Sequence, residues 1–427
     1  MDIGPWLRSN AHRLRTLDPA DDDFDDLEPL RDIVGDARVV AIGESTHRLH
    51  ECYQVRHRLT RFLATRLGFT AFVMESGFPE GLAVNDWIHG GPGDLDTLAR
   101  TGITYHMGRC AELRDQLRWM RDHRVSFYGM DPSDSSASAR PAVLAALSYL
   151  DRVDPGYAAV ARERLLTLFD YLPADRSGRA WAAPAIQAYQ ALPAAHRYEL
   201  TARISELVER MAAQRIVLIG RSTVDEFEVA HRCAATARHT DAFLGVFALG
   251  EERPAEGTNI RDLAMAENVA WILGREERIV IGAANGHVQR WPFSAPPIVN
   301  NELTMLGEHL ASTLGESMVV IAGAIGGGEL QLHRPLPDGP PGHTETFTQP
   351  LHQLDPTSLD QLLSACGMPW YLLDLRRVPS SGPVAERFAA ATTVMTGGQA
   401  TPVNPLAAFD AVVYVDEVTP WHHDPGA

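Results

Sequence analysis

The sequence contains no lysine, so all 38 of its basic residues are arginine. This absence excludes a Schiff base to a carbonyl substrate, a Walker A phosphate site and a Ser-x-x-Lys nucleophile, because each of these requires a lysine amine. Basic residues are also outnumbered, since 55 acidic residues leave a formal net charge of −17. That charge repels phosphate backbones and anionic lipid headgroups, so it argues against nucleic acid and membrane surfaces as partners.

Cysteine is scarce as well. The four cysteines form neither a Cys-x-x-Cys pair nor a Cys/His cluster at zinc-finger spacing; they are Cys52, Cys110, Cys233 and Cys366. This pattern predicts reduced, buried thiols in a cytoplasmic protein. The chain also lacks the apolar run of a signal peptide near its N-terminus and any run of about 18 apolar residues that would span a membrane. We therefore expect a soluble, cytoplasmic protein.

Short β-branched apolar runs are present, and they alternate with longer segments that carry apolar residues at helical spacing. This alternation predicts an α/β fold with a mostly parallel central sheet flanked by helices. The candidate strands are Arg38–Ile42, Ala71–Met74, Val125–Met130, Ile216–Ile219, Arg278–Ile281, Met318–Ala322, Tyr371–Leu375 and Ala411–Val415. After the first strand, apolar residues at i, i+3, i+4 and i+7 from Cys52 onwards predict a helix that ends near Gly68.

Strand signals stop between residues 133 and 214, where the chain is rich in alanine, leucine and arginine and its prolines fall at helix-end spacing. This pattern predicts an inserted all-helical subdomain at 133–214, between a first part of the α/β core at 1–132 and a second part at 215–427. The proline-rich segment from Pro335 to Pro350 is predicted to be a surface loop near the mouth of the site.

Polar residues follow the predicted strands where each one ends. Glu44, Ser45, Thr46 and His47 follow the first strand, and Glu75 ends the second. The third strand leads into Asp131, and the strand at Arg278–Ile281 is followed by Asn285 and His287. Because ligands of parallel α/β sheets bind beyond the carboxyl ends of the strands, we expect these side chains to form one site. A buried carboxylate such as Glu75 also needs a partner there.

Several familiar catalytic motifs are missing from this set. Gly43-Glu44-Ser45-Thr46-His47 has histidine where a Gly-x-Ser-x-Gly elbow needs its second glycine, which disfavours a serine nucleophile. No Gly-x-Gly-x-x-Gly dinucleotide site or His-Glu-x-x-His zinc site is present. What remains is histidine beside carboxylates, which can remove a proton from water or an alcohol. Arg56 lies on the helix after His47 and could point back toward Glu75.

These residues, in this order, resemble the erythromycin esterase family. The resemblance begins with Val39-Val40-Ala41-Ile42-Gly43-Glu44-Ser45-Thr46-His47, Arg56 and the segment from Gly68 to Glu75. It continues at Phe127-Tyr128-Gly129-Met130-Asp131, Arg261-Asp262-Leu263-Ala264-Met265-Ala266-Glu267-Asn268-Val269 and Asn285-Gly286-His287-Val288, and fades in the last hundred residues. The ordered set covers more than half of the chain.

The resemblance implies a metal-independent hydrolase without a cofactor that opens the ester of a macrolactone with histidine-activated water. It makes His47 the general base, Glu44 and Glu75 the carboxylates that orient it or the water, and Arg56 their electrostatic partner. His287 would complete the pocket from the opposite side. The candidate substrate-binding residues are Ser45, Thr46, Asp131, Asn285, Arg261 and Glu267. The expected partner is a small-molecule ester, lactone or related natural product.

One residue departs from the family pattern. The family commonly has histidine three residues before the equivalent of His287, whereas this chain has Ala284. Three other hypotheses stay open beside hydrolysis, although Ala284 argues against the second of them. The first is a lyase, cyclase or acyl-transfer step of natural-product biosynthesis with His47 as the base. The second is a metal site of Glu44, His47, Glu75 and His287. The last is a protein that binds a small molecule or haem through Tyr105, His106 or Tyr128.

Overall fold

The structure is a computed structural model that describes residues 2–172, 183–248, 258–296, 299–339, 344–351 and 353–423. In chain order, the strands within these residues are β1 His12–Arg13, β2 Val39–Glu44, β3 Ala71–Gly77, β4 Ser126–Asp131, β5 Ile279–Ala284, β6 Phe293–Ala295, β7 Val299–Leu303, β8 Met318–Pro335, β9 Thr344–Leu351, β10 Trp370–Asp374, β11 Thr393–Thr396, β12 Gln399–Pro402 and β13 Ala411–Val418.

The helices separate most of these strands. They are α1 Gly4–Asn10, α2 Pro29–Val34, α3 His50–Leu67, α4 Phe78–Ile88, α5 Leu95–Gly102, α6 Ala111–His123, α7 Arg140–Val153, α8 Pro155–Leu166, α9 Ala183–Gln190, α10 Ala194–Ala213, α11 Arg215–Ile219, α12 Val224–Ala248, α13 Ile260–Leu273, α14 Asn285–Val288, α15 Leu306–Leu314, α16 Leu359–Ser364, α17 Pro383–Ala389 and α18 Pro405–Ala408. None of the described helices is long and apolar enough to cross a bilayer.

One central sheet organises the molecule, with strand order β1-β10-β13-β8-β2-β5-β3-β4 and β9 paired to β8. The six strands from β13 to β4 run parallel, while β1, β10 and β9 pair antiparallel. The predicted α/β fold with a mostly parallel sheet and flanking helices is therefore confirmed. The strands β2, β5, β3 and β4 lie side by side, so their carboxyl ends form one continuous edge.

Both faces of the sheet are covered by helices, which explains why its parallel strands are mostly apolar before they reach their carboxyl ends. In β2, Val40 and Ile42 belong to one hydrophobic core and Val39 and Ala41 to the other. The helix α3 packs on the first face and ends at Gly68, whose φ of 74° provides the left-handed cap that the sequence predicts. The four cysteines are buried and free.

The helices α7 to α12 bury a third hydrophobic core of their own, which includes Leu147, Leu207 and Phe227. The predicted strand at Ile216–Ile219 is wrong, since these residues form the helix α11. A short apolar run does not distinguish a strand from a helix, and here Leu218 is buried while Ile216 is 85% exposed, as expected for one turn of a surface helix. Helices also continue beyond residue 214, because α12 extends to Ala248.

The proline-rich segment at 335–350 is only partly the predicted loop: residues 336–339 have no regular structure, whereas Pro335 ends β8 and residues 344–350 belong to β9. The strands β8 and β9 pair antiparallel from Gly328 with Leu351 to Pro335 with Thr344, and residues 340–343 lie outside the described part. Pro350 is tolerated in β9 because, within the described part of the chain, β9 pairs with β8 alone.

Candidate functional site

The carboxyl edge of the parallel strands carries a cluster of ionisable side chains. Glu44 is the last residue of β2 and Asp131 the last residue of β4, while Glu75 lies near the end of β3. Their side chains are at most 5% exposed, so all three carboxylates need partners inside the protein. Their charged partners are two histidines and two arginines, supplied by loops and helices that lie at this edge of the sheet.

His47 lies in the loop between β2 and α3, directly above the sheet edge. Its Nδ1 atom is 2.6 Å from Glu44 Oε1, and its Nε2 atom is 3.8 Å from Glu75 Oε1. The short contact to Glu44 places the proton of the neutral ring on Nδ1 and leaves the Nε2 lone pair directed away from Glu44. With 35% of its side chain exposed, His47 is accessible to a bound molecule.

The acidic neighbours also change the proton affinity of His47. Burial alone would lower the pKa of its imidazole, but attraction to Glu75 and the hydrogen bond and charge of Glu44 outweigh burial and raise the pKa. A raised pKa means that the imidazolium formed when His47 takes up a proton is stabilised by the site. The same shift reduces the fraction of neutral His47 below neutral pH.

Glu75 is held from three directions. Its Oε1 atom accepts a hydrogen bond from Arg261 Nη2 at 2.9 Å and lies 3.3 Å from His287 Nε2. Its Oε2 atom accepts the backbone N–H of Ala284 at 3.0 Å. Burial would raise the pKa of Glu75, but the charges of His287, His47 and Arg261 lower it well below its usual value. Glu75 is therefore an ionised carboxylate with a fixed orientation.

Arg261 is the central cation of the cluster. It binds Asp131 with two hydrogen bonds, from Nε to Oδ1 at 2.8 Å and from Nη2 to Oδ2 at 2.9 Å, in addition to its contact with Glu75. Its Nη1 atom is 3.0 Å from His287 Nε2. Arg261 is the second residue of α13, so this helix positions a planar guanidinium between two strand-end carboxylates.

His287 completes the cluster from α14. Its Nδ1 atom is 2.8 Å from Asp262 Oδ1, and the same carboxylate accepts Asn259 Nδ2 and the backbone N–H of Leu306. Burial would lower the pKa of His287, but the carboxylates of Asp262 and Glu75 outweigh it and raise the pKa to about 10. The raised pKa favours the protonated form of His287 beside Glu75. The sequence places Asp262 on the neighbouring helix but does not identify it as the partner of His287.

Arg56 also joins the cluster, but not where it was predicted to point. Its Nη1 atom contacts Glu44 Oε2 at 3.3 Å and its guanidinium stacks on the Tyr53 ring at 4.2 Å, so the predicted direction toward Glu75 is wrong. Gly282 of β5 accounts for this path, because a Cβ atom there would lie 2.8 Å from Arg56 Cδ. Arg56 reaches Glu44 through the space that this glycine leaves.

Two predicted substrate-binding residues have hydrogen-bond or ion-pair partners within the protein. Glu267 lies away from the cluster, where its carboxylate is 3.3 Å from Arg232 and 3.4 Å from His239. The amide of Asn285 is fully buried and pairs twice with the Gly323 backbone of β8, at 2.7 and 3.0 Å. These contacts hold α14 against the sheet and position the neighbouring His287.

The two hydroxyls beside His47 are buried in the same loop. Ser45 Oγ and Thr46 Oγ1 have no hydrogen-bond partner among the described residues. The backbone carbonyl of Ser45 accepts the N–H of Gly397 at 2.8 Å, which ties this loop to the β11–β12 hairpin. The loop conformation is also constrained at Arg48, whose φ of 68° lies in the left-handed region that costs energy for a residue with a side chain.

Tyr105 borders the cluster beside Asp131. Its hydroxyl lies 3.4 Å from Asp131 Oδ2 and 3.5 Å from the Ser135 carbonyl, so its single proton is donated to one or the other, and burial raises its pKa. Tyr105, His106 and Ser135 all have positive φ angles, between 41° and 61°. Such strain at non-glycine residues is concentrated at functional sites. The sequence suggests Tyr105 as a ligand of a small molecule or haem, and its contact with Asp131 is visible only in three dimensions.

The chain is similar to known proteins over most of its length. The family model for erythromycin esterase matches residues 64–418. The type II erythromycin esterase of Escherichia coli is 26% identical over 394 residues, which cover 89% of this chain and 90% of the relative. The type I erythromycin esterase of the same species is 24% identical over 417 residues, which cover 93% and 95% of the two chains.

A solved structure shares the fold. A mutant erythromycin esterase in its open conformation superposes with a TM-score of 0.77 at 21% sequence identity, covering 97% of this chain and 98% of its own. At this level of identity the likeness concerns the architecture. The central sheet and its flanking helices therefore form an architecture that is already known in an esterase.

Proposed function

The chain belongs to the erythromycin esterase family, and on that premise we propose that it hydrolyses the ester bond of a macrolactone or a related small-molecule ester with water activated by His47. The observation that carries the proposal is the pair of contacts around the His47 ring. Glu44 holds Nδ1 at 2.6 Å, while Nε2 lies 3.8 Å from Glu75 in a partly exposed position. A water molecule that donates to both atoms fits this separation.

In the proposed reaction, the water oxygen attacks the ester carbonyl as its proton passes to His47 Nε2. The carbonyl becomes a tetrahedral oxyanion, and Arg261 and the protonated His287 beside Glu75 offset its negative charge. The bond to the alcohol oxygen then breaks, and His47 returns its proton to that oxygen. The products are a carboxylic acid and an alcohol, with no covalent enzyme intermediate.

The roles of the carboxylates follow from their different surroundings. Glu44 fixes the tautomer of His47 and stabilises the imidazolium as the proton arrives, with Arg56 at 3.3 Å holding its second oxygen. Glu75 accepts a proton of the water in a hydrogen bond and stays ionised because Arg261 and His287 surround it. This arrangement separates a basic imidazole from an orienting carboxylate that cannot compete for the proton.

We further propose that this chemistry needs no metal ion. Support comes from the Arg261 guanidinium, which contacts Glu75 at 2.9 Å and His287 at 3.0 Å. This guanidinium occupies the space between Glu75 and His287, where a metal ion bound to both side chains would have to lie. The carboxylates are therefore already neutralised by a fixed organic cation. Hydrolysis that survives exhaustive dialysis against a chelator would agree with this proposal, and loss of turnover restored by added metal would contradict it.

A labelling experiment tests the proposed reaction. Macrolactones and simple esters are incubated with the protein in ¹⁸O-labelled water, and the products are examined by mass spectrometry. We expect the label in the carboxylic acid, with turnover reduced roughly 10²- to 10⁴-fold by His47→Ala. His123→Ala, at an exposed histidine at the end of α6, is the matched control. Activity that persists in the His47→Ala protein would contradict the proposal.

The same experiment addresses a second candidate. Ala284, where the family commonly has histidine, provides only its backbone N–H to Glu75. A smaller constellation of this kind suits a lyase, cyclase or acyl-transfer step in which His47 removes a proton from the substrate and water is not consumed. A product without ¹⁸O, formed in a reaction that depends on His47, would favour that reaction over hydrolysis.

A further inference from the structure

Three distant segments of the chain meet beside the N-terminal end of α3. His50 is the first residue of α3, Glu112 lies in the first turn of α6, and His422 follows β13 near the C-terminus. The C-terminal segment is held there by two backbone hydrogen bonds, from the N–H of His50 to the carbonyl of Thr419 and from the N–H of Trp421 to the carbonyl of Arg48. The backbone N–H of Ala111 also donates to the carbonyl of His422 at 2.8 Å.

The three side chains converge on one carboxylate oxygen. Glu112 Oε1 lies 2.5 Å from His50 Nδ1 and 2.7 Å from His422 Nδ1. The two imidazole rings meet edge to face with their centroids 4.6 Å apart. Metal-ligating atoms of at least three histidine, cysteine, aspartate or glutamate side chains lie within 4.8 Å of one another at only this place among the described residues. The cluster contains neither His47 nor any of its partners.

This donor set has the chemistry of a metal site. Two imidazole nitrogens and one carboxylate oxygen are the protein ligands of many zinc sites with an open fourth position. Zinc–ligand distances of about 2.0–2.2 Å separate tetrahedral ligands by roughly 3.3 Å. The present contacts of 2.5 and 2.7 Å would therefore open by less than about 1 Å. The ion would replace protons that the two Nδ1 atoms now share with Glu112.

The surroundings of the cluster fix the orientation of the Glu112 carboxylate and leave a path by which an ion can reach it from solvent. Glu112 Oε2 accepts the Cys110 thiol at 3.1 Å and the His422 backbone N–H at 3.3 Å, and outer contacts of this kind orient metal ligands. The Glu112 side chain is only 8% exposed, whereas His422 is 71% exposed. An ion can thus arrive from solvent and reach a buried, oriented carboxylate.

We propose that His50, Glu112 and His422 bind one divalent transition-metal ion, best matched by zinc, that fastens the C-terminal segment to the start of α3 and α6. The site lies outside the catalytic cluster and takes no part in ester hydrolysis. Its effect is mechanical, because α3 begins three residues after His47. The ion would hold the end of the loop that carries the catalytic imidazole.

Zinc binding to the full chain tests this proposal. The protein is stripped with a chelator, and binding of zinc is measured by calorimetry, with cobalt as a spectroscopic probe of tetrahedral geometry. We expect one ion per chain and a rise in melting temperature with added zinc. His422→Ala should weaken binding by more than the 10- to 100-fold typical of outer-shell changes and abolish the rise in melting temperature. The exposed neighbour His423 provides the matched control, and His423→Ala should bind zinc like the parent protein.

Two results would overturn the proposal. One is a parent protein that takes up no zinc, which would mean that the three side chains share protons only. The other is unchanged binding of one zinc ion by His422→Ala, which would place the ion elsewhere in the chain. His422 is largely exposed, so its replacement leaves the fold intact, and Glu112→Gln gives a second, isosteric variant. Because the readouts are binding and melting temperature, their outcome is independent of whether the ester hydrolysis proposed above is found.

Discussion

Replacing Arg261 by methionine should destabilise the protein strongly, because the guanidinium neutralises two buried carboxylates. Arg261 is 14% exposed, and its hydrogen bonds of 2.8–2.9 Å reach Asp131, which is fully buried, and Glu75, which is 5% exposed. Methionine keeps the apolar stem but leaves both carboxylates without this cation. Breaking a buried ion pair from one side costs about 3–5 kcal/mol. His287 remains near Glu75 at 3.3 Å, so the larger part of the loss falls on Asp131.

The assay is urea unfolding followed by circular dichroism, with the free energy of unfolding obtained for the parent and variant proteins. Arg261→Lys should recover part of the loss, since it restores the charge but not the two-pronged contact to Asp131. Arg118→Ala is the control: its pair with Asp115 is short, at 2.6 Å, but 55% and 65% exposed, and should contribute no more than about 1 kcal/mol.

The pH dependence of the Arg261→Met effect gives an independent check. Without the guanidinium, the pKa values of Glu75 and Asp131 rise, so both carboxylates bind protons more readily in the folded variant. The destabilisation should therefore shrink as the pH falls through the acid range and the buried groups become neutral. A loss below about 1 kcal/mol, equal to that of Arg118→Ala, would refute the assignment of Arg261 as the cation that neutralises the cluster.

Two further predictions concern the supports of the cluster. The pKa of His287 is raised to about 10 in the folded protein, whereas it is near 6.5 in the unfolded chain. The stability that protonated His287 contributes is therefore complete below pH 6.5 and is lost as the pH rises toward 10. His287→Gln should remove this loss, so the unfolding free energy of the variant should fall less steeply over this range, by up to about 1.4 kcal/mol per pH unit. A Cβ at Gly43 would lie 2.2 Å from Asn285 Oδ1, so Gly43→Ala should lower the unfolding free energy by about 1–3 kcal/mol. Gly156→Ala is the control and should not lower it, because a Cβ at Gly156 meets no atom within 4 Å. Equal stability of the two variants would contradict the packing argument.

Much of the fold follows from local patterns in the sequence. The strands β2, β3 and β4 are apolar on both faces, and α3 shows helical periodicity up to the left-handed Gly68, so each element is specified by its own residues. The apolar run at 216–219 fails because its length suits either a strand or a helix. This segment lies between α10 and α12, and its packing against distant parts of the chain determines that it forms a helix.

The site could be predicted in outline for a similar reason. Parallel strands bring their carboxyl ends together, so Glu44, His47 and Glu75 must meet once the sheet forms. Helical geometry sorts the residues of α13 in the same way. Glu267 lies six residues after Arg261, or about 240° around the axis, and contacts Arg232 instead of the cluster. Asn268, seven residues on, returns to the same face and donates to the Met130 carbonyl at 2.8 Å.

Other features have no local signal. The direction of Arg56 is set by the absence of a side chain at Gly282, more than two hundred residues away. The pairing of His287 with Asp262 and the meeting of His50 with Glu112 and His422 likewise join segments from different parts of the chain. In each case the contact depends on the packing of complete elements, and the residue types alone do not select the partner.

The pH dependence of kcat/KM in the parent protein and in Glu44→Gln tests the role of His47 most directly. Only neutral His47 can accept a proton, and Glu75 and Glu44 raise its pKa, so activity should fall as the pH decreases through a value above 6.5. Glutamine removes the charge of Glu44 while keeping its shape, and should move this acid limb to lower pH as well as reduce the rate. An acid limb that lies below 6.5 in the parent protein, or that stays in place in Glu44→Gln, would contradict the account.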